Sequence, residues 1–164
     1  MPVLDHLEPK NVFRFFEELC AIPHGSRNTG AVSGWCVEFA RARGLEVHQD
    51  DANNIIIIQG AAPGYENAAP IILQGHLDMV CEKAPGCVRD MEREGLDLAA
   101  DGDFVYAEGT TLGGDDGIAV AMALAILADP SIPHPRLEVV LTTDEEIGML
   151  GAAALDVSPL RGRQ

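Results

Sequence analysis

The chain has 164 residues, 47% of them apolar, and a formal charge of −15. This is enough chain for one domain with a sizeable core, and the composition is globular and not disordered. So acidic a surface repels nucleic acid and anionic membrane, which excludes both as partners, while it suits cation binding or plain solubility.

Residues 1–10 are polar and lack the apolar h-region of a signal peptide. Residues 9–20 carry Val12, Phe16 and Leu19 at helical spacing and predict a first helix. Pro23, Gly25 and Asn28 mark a loop, and Asn28 or Thr29 is the candidate cap of a second helix that runs to about Arg43. Its stripe of Val32, Trp35, Cys36, Phe39 and Ala40 follows the i, i+3, i+4, i+7, i+8 pattern, with Trp35 read as core and Gly44 as the stop. Residues 45–47 and 54–59 predict two strands of a meander or hairpin. Ile55-Ile-Ile-Ile58 is β-branched throughout, which suits a strand buried on both faces.

Residues 70–80 form an apolar run that predicts a buried strand and delivers His76 and Asp78 at its end. Residues two apart in a strand share a face, so the two side chains can lie together. A metal-bound imidazole commonly has such a carboxylate on its second nitrogen; the plain alternative is a strand-end histidine in a loop. Residues 81–103 lose apolar periodicity, gain charge and contain Gly86, Gly95 and Gly102, so they read as a long irregular loop beside the site. A short strand is predicted over 104–106. Gly109-Thr-Thr-Leu-Gly-Gly-Asp-Asp-Gly117 then feeds residues 118–128, an apolar, Ala-rich helix buried over most of its surface. That run is far shorter than the roughly 20 residues a bilayer span takes. Residues 137–143 are another core strand, with Asp144-Glu-Glu-Ile-Gly148 at its carboxyl end.

This succession predicts an α/β fold, a mixed, mainly parallel sheet with helices on both faces. Ligands in such sheets bind beyond the carboxyl ends of strands, where His76 and Asp78, Asp115 and Asp116, and residues 144–146 all fall. Several chemistries are excluded. The Gly113-Gly-Asp-Asp-Gly117 loop lacks the Lys-Ser/Thr of a P-loop and puts two anions where a phosphate would sit. Asp101 and Asp103 have EF-hand spacing, but Val105 and Tyr106 occupy the next ligand and glycine positions. No Gly-x-Ser-x-Gly elbow exists. Acids at a helix start also simply complement the helix dipole. Cys20, Cys36, Cys81 and Cys87 form no C-x-x-C pair and read as free thiols, so a cytoplasmic protein is expected.

His76-Leu-Asp-Met, Thr111-Leu-Gly-Gly-Asp-Asp-Gly-Ile and Thr143-Asp-Glu-Glu-Ile-Gly-Met, with Cys20-Ala-Ile-Pro-His24 before them, resemble the signature motifs of the bacterial aminoacyl-histidine dipeptidases. These are also called Xaa-His dipeptidase, cytosol non-specific dipeptidase or peptidase D, of the di-zinc aminoacylase and carboxypeptidase clan. The resemblance implies that His76 ligates one metal, Asp115 bridges two and Glu146 ligates the second. It also implies that Asp78 orients His76, that Glu145 is the general base, and that the Asp115–Asp116 peptide is cis. Zinc takes imidazole nitrogen and carboxylate oxygen, and two close metals need one shared carboxylate. Two Zn2+ per active site are implied, with Co2+ or Mn2+ as substitutes, and so are a dipeptide substrate and a homodimer.

The chain departs from the family pattern in two ways. Asp116 stands where Asn is usual, which adds a negative charge beside the metals. The family's later metal-binding aspartate and histidine, and its second, lid or dimerisation domain, have no counterpart in the sequence. Residues 1–164 are therefore expected to be the N-terminal part of a di-zinc catalytic domain, with two ligands per metal and no peptidase activity alone. The alternatives are an N-acyl amino-acid amidohydrolase or carboxypeptidase of the same clan, or a catalytically silent remnant.

Overall fold

Four consecutive isoleucines fix the middle of the sheet. The computed structural model describes residues 2–162, and in it strand β2 (Ile55–Gln59) buries all four. Ile55 and Ile57 face one core; Ile56 and Ile58 face another on the opposite side. Each such side chain contributes about 1.5–3 kcal/mol by leaving water. Beside β2 lies β6 (Leu137–Thr142), also buried along its whole length.

The first helix, α1 (Lys10–Cys20), buries Val12, Phe15, Phe16 and Leu19. The second, α2 (Gly30–Ala42), buries Val32, Cys36, Phe39 and Ala40. Trp35 is half-buried and completes an aromatic cluster with Phe15 and Phe39, at centroid distances of 6.5 and 6.0 Å. Thr29 occupies the cap position of α2 but makes no side-chain capping bond, and Asn28 turns instead to the Glu92 carbonyl. The remaining elements are β1 (Glu46–Gln49), β3 (Ile71–His76), β4 (Leu98–Asp101), β5 (Phe104–Ala107), α3 (Gly114–Ala128) and the short α4 (Leu150–Ala154). All four cysteines are free thiols, and burial pushes Cys20 and Cys36 up to about 12.

The main sheet has the order β1-β2-β6-β3. It is mixed, as expected, but not mainly parallel: β1–β2 and β2–β6 are antiparallel and only β3–β6 is parallel. Connection length accounts for two of these pairings. A short turn joins β1 to β2 and allows only antiparallel pairing, whereas the long excursion between β3 and β6 permits a crossover. The expectation of helices on both faces also needs correction. Helices α1, α2 and α3 all pack into the core on the Ile55 and Ile57 side. On the other face Ile56, Ile58 and Val140 pack with Ile72 of the same sheet and are covered by Leu155 and Leu160, which follow α4.

The irregular stretch after β3 is shorter than the sequence suggests, because β4 pairs with β5 across a Gly102-Asp103 turn with Gly102 in the left-handed region. Leu98-Ala-Ala-Asp101 has no β-branched residue, so nothing local announced a strand. Likewise α4 is only five residues long and carries no periodic signal.

Candidate metal centre

Parallel pairing decides where the chemistry sits. In the β3–β6 ladder His76 stands opposite Thr142, so both strands end at one edge of the sheet. The residues that follow, Asp78 on one side and 144–146 on the other, are delivered together. Helix α3 packs on β3 and begins at the same edge with Asp115 and Asp116.

One ligand atom each from His76, Asp115 and Glu146 lie within 4.8 Å of one another. The His76 Nε2 is 3.2 Å from Asp115 Oδ1 and 3.9 Å from Glu145 Oε2. On the other ring nitrogen, Nδ1 is 3.0 Å from the Asp78 main-chain oxygen. That contact assigns the neutral ring's proton to Nδ1, so that Nε2 is the nitrogen able to turn a lone pair to a cation, while the hydrogen bond from Nε2 to Asp115 Oδ1 belongs to the doubly protonated ring. Burial pulls the His76 pKa down, but the Asp115 carboxylate, the Asp78 carbonyl and the charges of Asp78 and Asp116 outweigh it, and the net direction is up.

The Asp78 carboxylate is wholly buried, and its Oδ1 lies 3.5 Å from His76 Nδ1. Its hydrogen-bond partners are elsewhere: Oδ1 accepts from the Glu145 N–H at 3.0 Å, and Oδ2 from the Glu146 N–H at 3.3 Å and the Ser26 hydroxyl at 2.7 Å. Asp78 thus reaches His76 chiefly through its main chain, and its side chain holds the 144–146 loop. A second tie runs from the Arg27 N–H to Asp144 Oδ1 at 2.6 Å. Both Arg27 and Asp144 sit in the left-handed region, with φ of 67° and 53°.

The Asp115–Asp116 peptide is cis. Asp115 points outward, while Asp116 turns back, and its Oδ2 accepts the His76 main-chain N–H at 3.2 Å. Gly75 makes room for it, since a Cβ there would lie 2.8 Å from Asp116 Oδ2. Burial is the largest influence on Asp116 and raises its pKa, with Asp115 and Glu145 adding to the rise. The oxygen of an Asn would accept the same N–H, so the departure at this position keeps the bond and adds a charge.

The donor set fits a divalent cation such as zinc: one imidazole nitrogen and two carboxylate oxygens, with further acids adjacent and, among the described residues, no Lys or Arg paired with them. Beside it opens a cavity of about 780 Å³ lined by Ser26, Arg27, Met79, Met91, Glu146 and Ile147, among others. Sequence reasoning named His76, Asp78, Asp115, Glu145 and Glu146, and all five meet at this edge. It missed Ser26, because a lone serine in a Pro- and Gly-bearing loop carries no spacing signal, and it missed Asn54, whose partners are remote in sequence.

No family model matches the chain. The cytosol non-specific dipeptidase of Escherichia coli (strain K12) is 42% identical over 155 residues, which cover 94% of this chain and 32% of that protein. The crystal structure of an aminoacylhistidine dipeptidase from Vibrio alginolyticus matches with a TM-score of 0.94 at 40% identity, over 97% of this chain and 32% of that one. A tripeptidase from Staphylococcus aureus subsp. aureus Mu50, at 24% identity and a TM-score of 0.74, shares the fold over 93% of this chain and 41% of its own. The chain spans about a third of the length of the two dipeptidases it matches.

Proposed function

We infer, for a chain that belongs to the aminoacyl-histidine dipeptidase family, that these residues form the metal-holding part of a peptidase active site. A polypeptide of the relatives' full length that carries them hydrolyses unblocked dipeptides, Xaa-His among them. The observation that carries this reading is the convergence of His76, Asp115 and Glu146 within 4.8 Å at the shared strand edge. His76, Asp115 and Glu146 would hold the zinc. Bound zinc supplies a Lewis acid for the scissile carbonyl and lowers the pKa of water. Glu145 takes the proton of the attacking water and passes it to the leaving amine. Asp78 keeps Glu145 and Glu146 in place through their main-chain N–H groups. The setting is cytosolic, as the Escherichia coli relative's name states of that protein; among the described residues no helix is long and apolar enough to cross a membrane. A lid or dimerisation domain and a homodimer belong to the same proposal.

Two measurements test it. Zinc titration of the purified chain should show saturable binding that His76→Ala abolishes and Glu145→Gln retains. Equal zinc loss in both variants would overturn the roles. A chimera with these residues in place of the corresponding third of the Escherichia coli relative should hydrolyse free dipeptides and spare N-acyl amino acids. Glu145→Gln in that chimera should lower turnover by about 10²–10⁴-fold. Preference for N-acyl substrates would move the assignment to a deacylase.

A further inference from the structure

The acids at 144–146 sit on a loop whose two ends meet behind the site, and one buried side chain holds that junction. Asn54 is 1% exposed. Its Nδ2 donates to the Gly151 carbonyl at 2.9 Å and to Asp50 Oδ2 at 2.8 Å. Its Oδ1 accepts the Thr143 N–H at 3.0 Å and lies 3.3 Å from Thr143 Oγ1. Every donor and acceptor of the amide is thus engaged, two of them on the residues that bracket 144–150. The neck is drawn tight: Gly151 N donates to the Thr143 carbonyl at 3.0 Å. A Cβ on Gly151 would lie 2.2 Å from that oxygen and 2.5 Å from Asn54 Oδ1. Thr143 is tied a second time, its hydroxyl donating to the Ala52 carbonyl at 2.7 Å.

We propose that Asn54 is a positioning residue for the site: it staples the two ends of the 143–151 loop to the start of β2 and so sets where Glu145 and Glu146 stand. The front of the same loop is held by Asp78. The loop is therefore clamped from two sides, one at the acids and one at the neck. An amide suits the rear position better than a carboxylate, because the neck offers an N–H and a carbonyl at once and of the two only the amide answers both. Asn54→Asp keeps the acceptor toward Thr143 but sets a second anion against Asp50 and the Gly151 oxygen. The functional consequence rests on the metal-site reading above; the staple itself does not.

Amide hydrogen exchange on the chain tests the staple without metal or turnover. In the unaltered chain the Thr143, Leu150 and Gly151 amides should exchange as slowly as those of β6, although they bracket a surface loop. Loop-like rates at these amides would overturn the proposal, whether or not any variant folds. In Asn54→Ala, exchange over residues 143–151 should accelerate about 10- to 100-fold more than in β6, from the loss of buried hydrogen bonds. Val140→Ala, a core truncation in the cluster with Ile56 and Ile58, serves as the matched control for general destabilisation. A flat acceleration in Asn54→Ala that matches Val140→Ala would also overturn the staple. Asn54→Asp should free the Gly151 end more than the Thr143 end. Zinc titration provides the functional arm: Asn54→Ala should bind at least about tenfold more weakly than Val140→Ala, a difference of roughly 1.4 kcal/mol. If the unaltered chain takes up no zinc, the metal reading fails, and the exchange pattern still decides the staple.

Discussion

The two halves of the candidate site are built on opposite principles. On the inner side, the His76 and Asp78 side chains are 8% and 0% exposed, and protein donors or acceptors engage both. On the outer side, the Asp115 side chain is 88% exposed and that of Glu145 38%. The inner half could not exist without its partners, because a buried charge with none is too costly. The outer half is the reverse: several carboxylates held near one imidazole repel one another, and solvent alone makes them tolerable. A fold that keeps this arrangement pre-forms one side of a cation site and leaves the other side to the cation. Removing inner residues should therefore break the fold, and removing outer ones should affect only the ligand.

The largest effect expected is from Asp78→Ala. It leaves the Glu145 and Glu146 N–H groups and the Ser26 hydroxyl without the buried acceptor they share, at a cost of about 3–5 kcal/mol. Urea denaturation of the metal-free chain should show this loss, and Asp78→Asn, which keeps one acceptor oxygen, should lose less. A metal-free stability unchanged in Asp78→Ala would mean that the inner half is no more built than the outer.

A second buried carboxylate supplies a comparison away from the site. Glu138 is 0% exposed on the sheet face opposite the three helices. It accepts from Arg136 Nε at 2.7 Å, from the Arg161 N–H at 2.9 Å and from the Gly162 N–H at 2.8 Å. Burial pushes its pKa up, but the Arg136 pair and the two N–H groups outweigh that, and the net direction is down. A carboxyl depressed in the fold contributes stability that is present above its unfolded pKa and lost as pH falls through the folded value. Acid should therefore release the 155–162 segment from the sheet below the ordinary glutamate range, seen as loss of the protected Arg161 and Gly162 amide signals. Glu138→Gln should lower stability at neutral pH by about 1–2 kcal/mol and remove that acid step. Retention of the step in the variant would assign it to another group.

The sequence made the polar half of this molecule legible and left much of its support hidden. His76, Asp78, Asp115, Glu145 and Glu146 are readable because strand ends, a glycine-rich helix start and an acidic cluster are local patterns. The isoleucine strand was readable for the same reason. Asn54, Ser26 and the Gly151 neck were not, since each acts through a partner far along the chain: 89 residues separate Asn54 from Thr143 and 52 separate Ser26 from Asp78. Strand direction was misjudged on similar grounds. Antiparallel β2–β6 pairing is a tertiary choice that no local period encodes.

The smallest effect on the fold, and the sharpest separation of the two halves, is expected from Asp115→Asn. The side chain is almost wholly in solvent, and among the described residues its one hydrogen-bond partner is His76 Nε2 at 3.2 Å. Losing that contact costs little, and removing a negative charge near Asp116 and Glu145 offsets it, so metal-free stability should change by less than about 0.5 kcal/mol. Zinc changes the balance. A ligand that binds only the folded state stabilises it by RT ln(1 + [L]/Kd), so the unaltered chain should gain several degrees of Tm in excess zinc. Asp115→Asn exchanges an anionic ligand oxygen for a neutral amide and should lose most of that gain while its metal-free Tm stays put. Thermal denaturation of both chains with and without zinc measures the four values. If Asp115→Asn lowers the metal-free Tm as Asp78→Ala does, the outer carboxylate is part of the fold's own support, and the division between a built half and a waiting half fails.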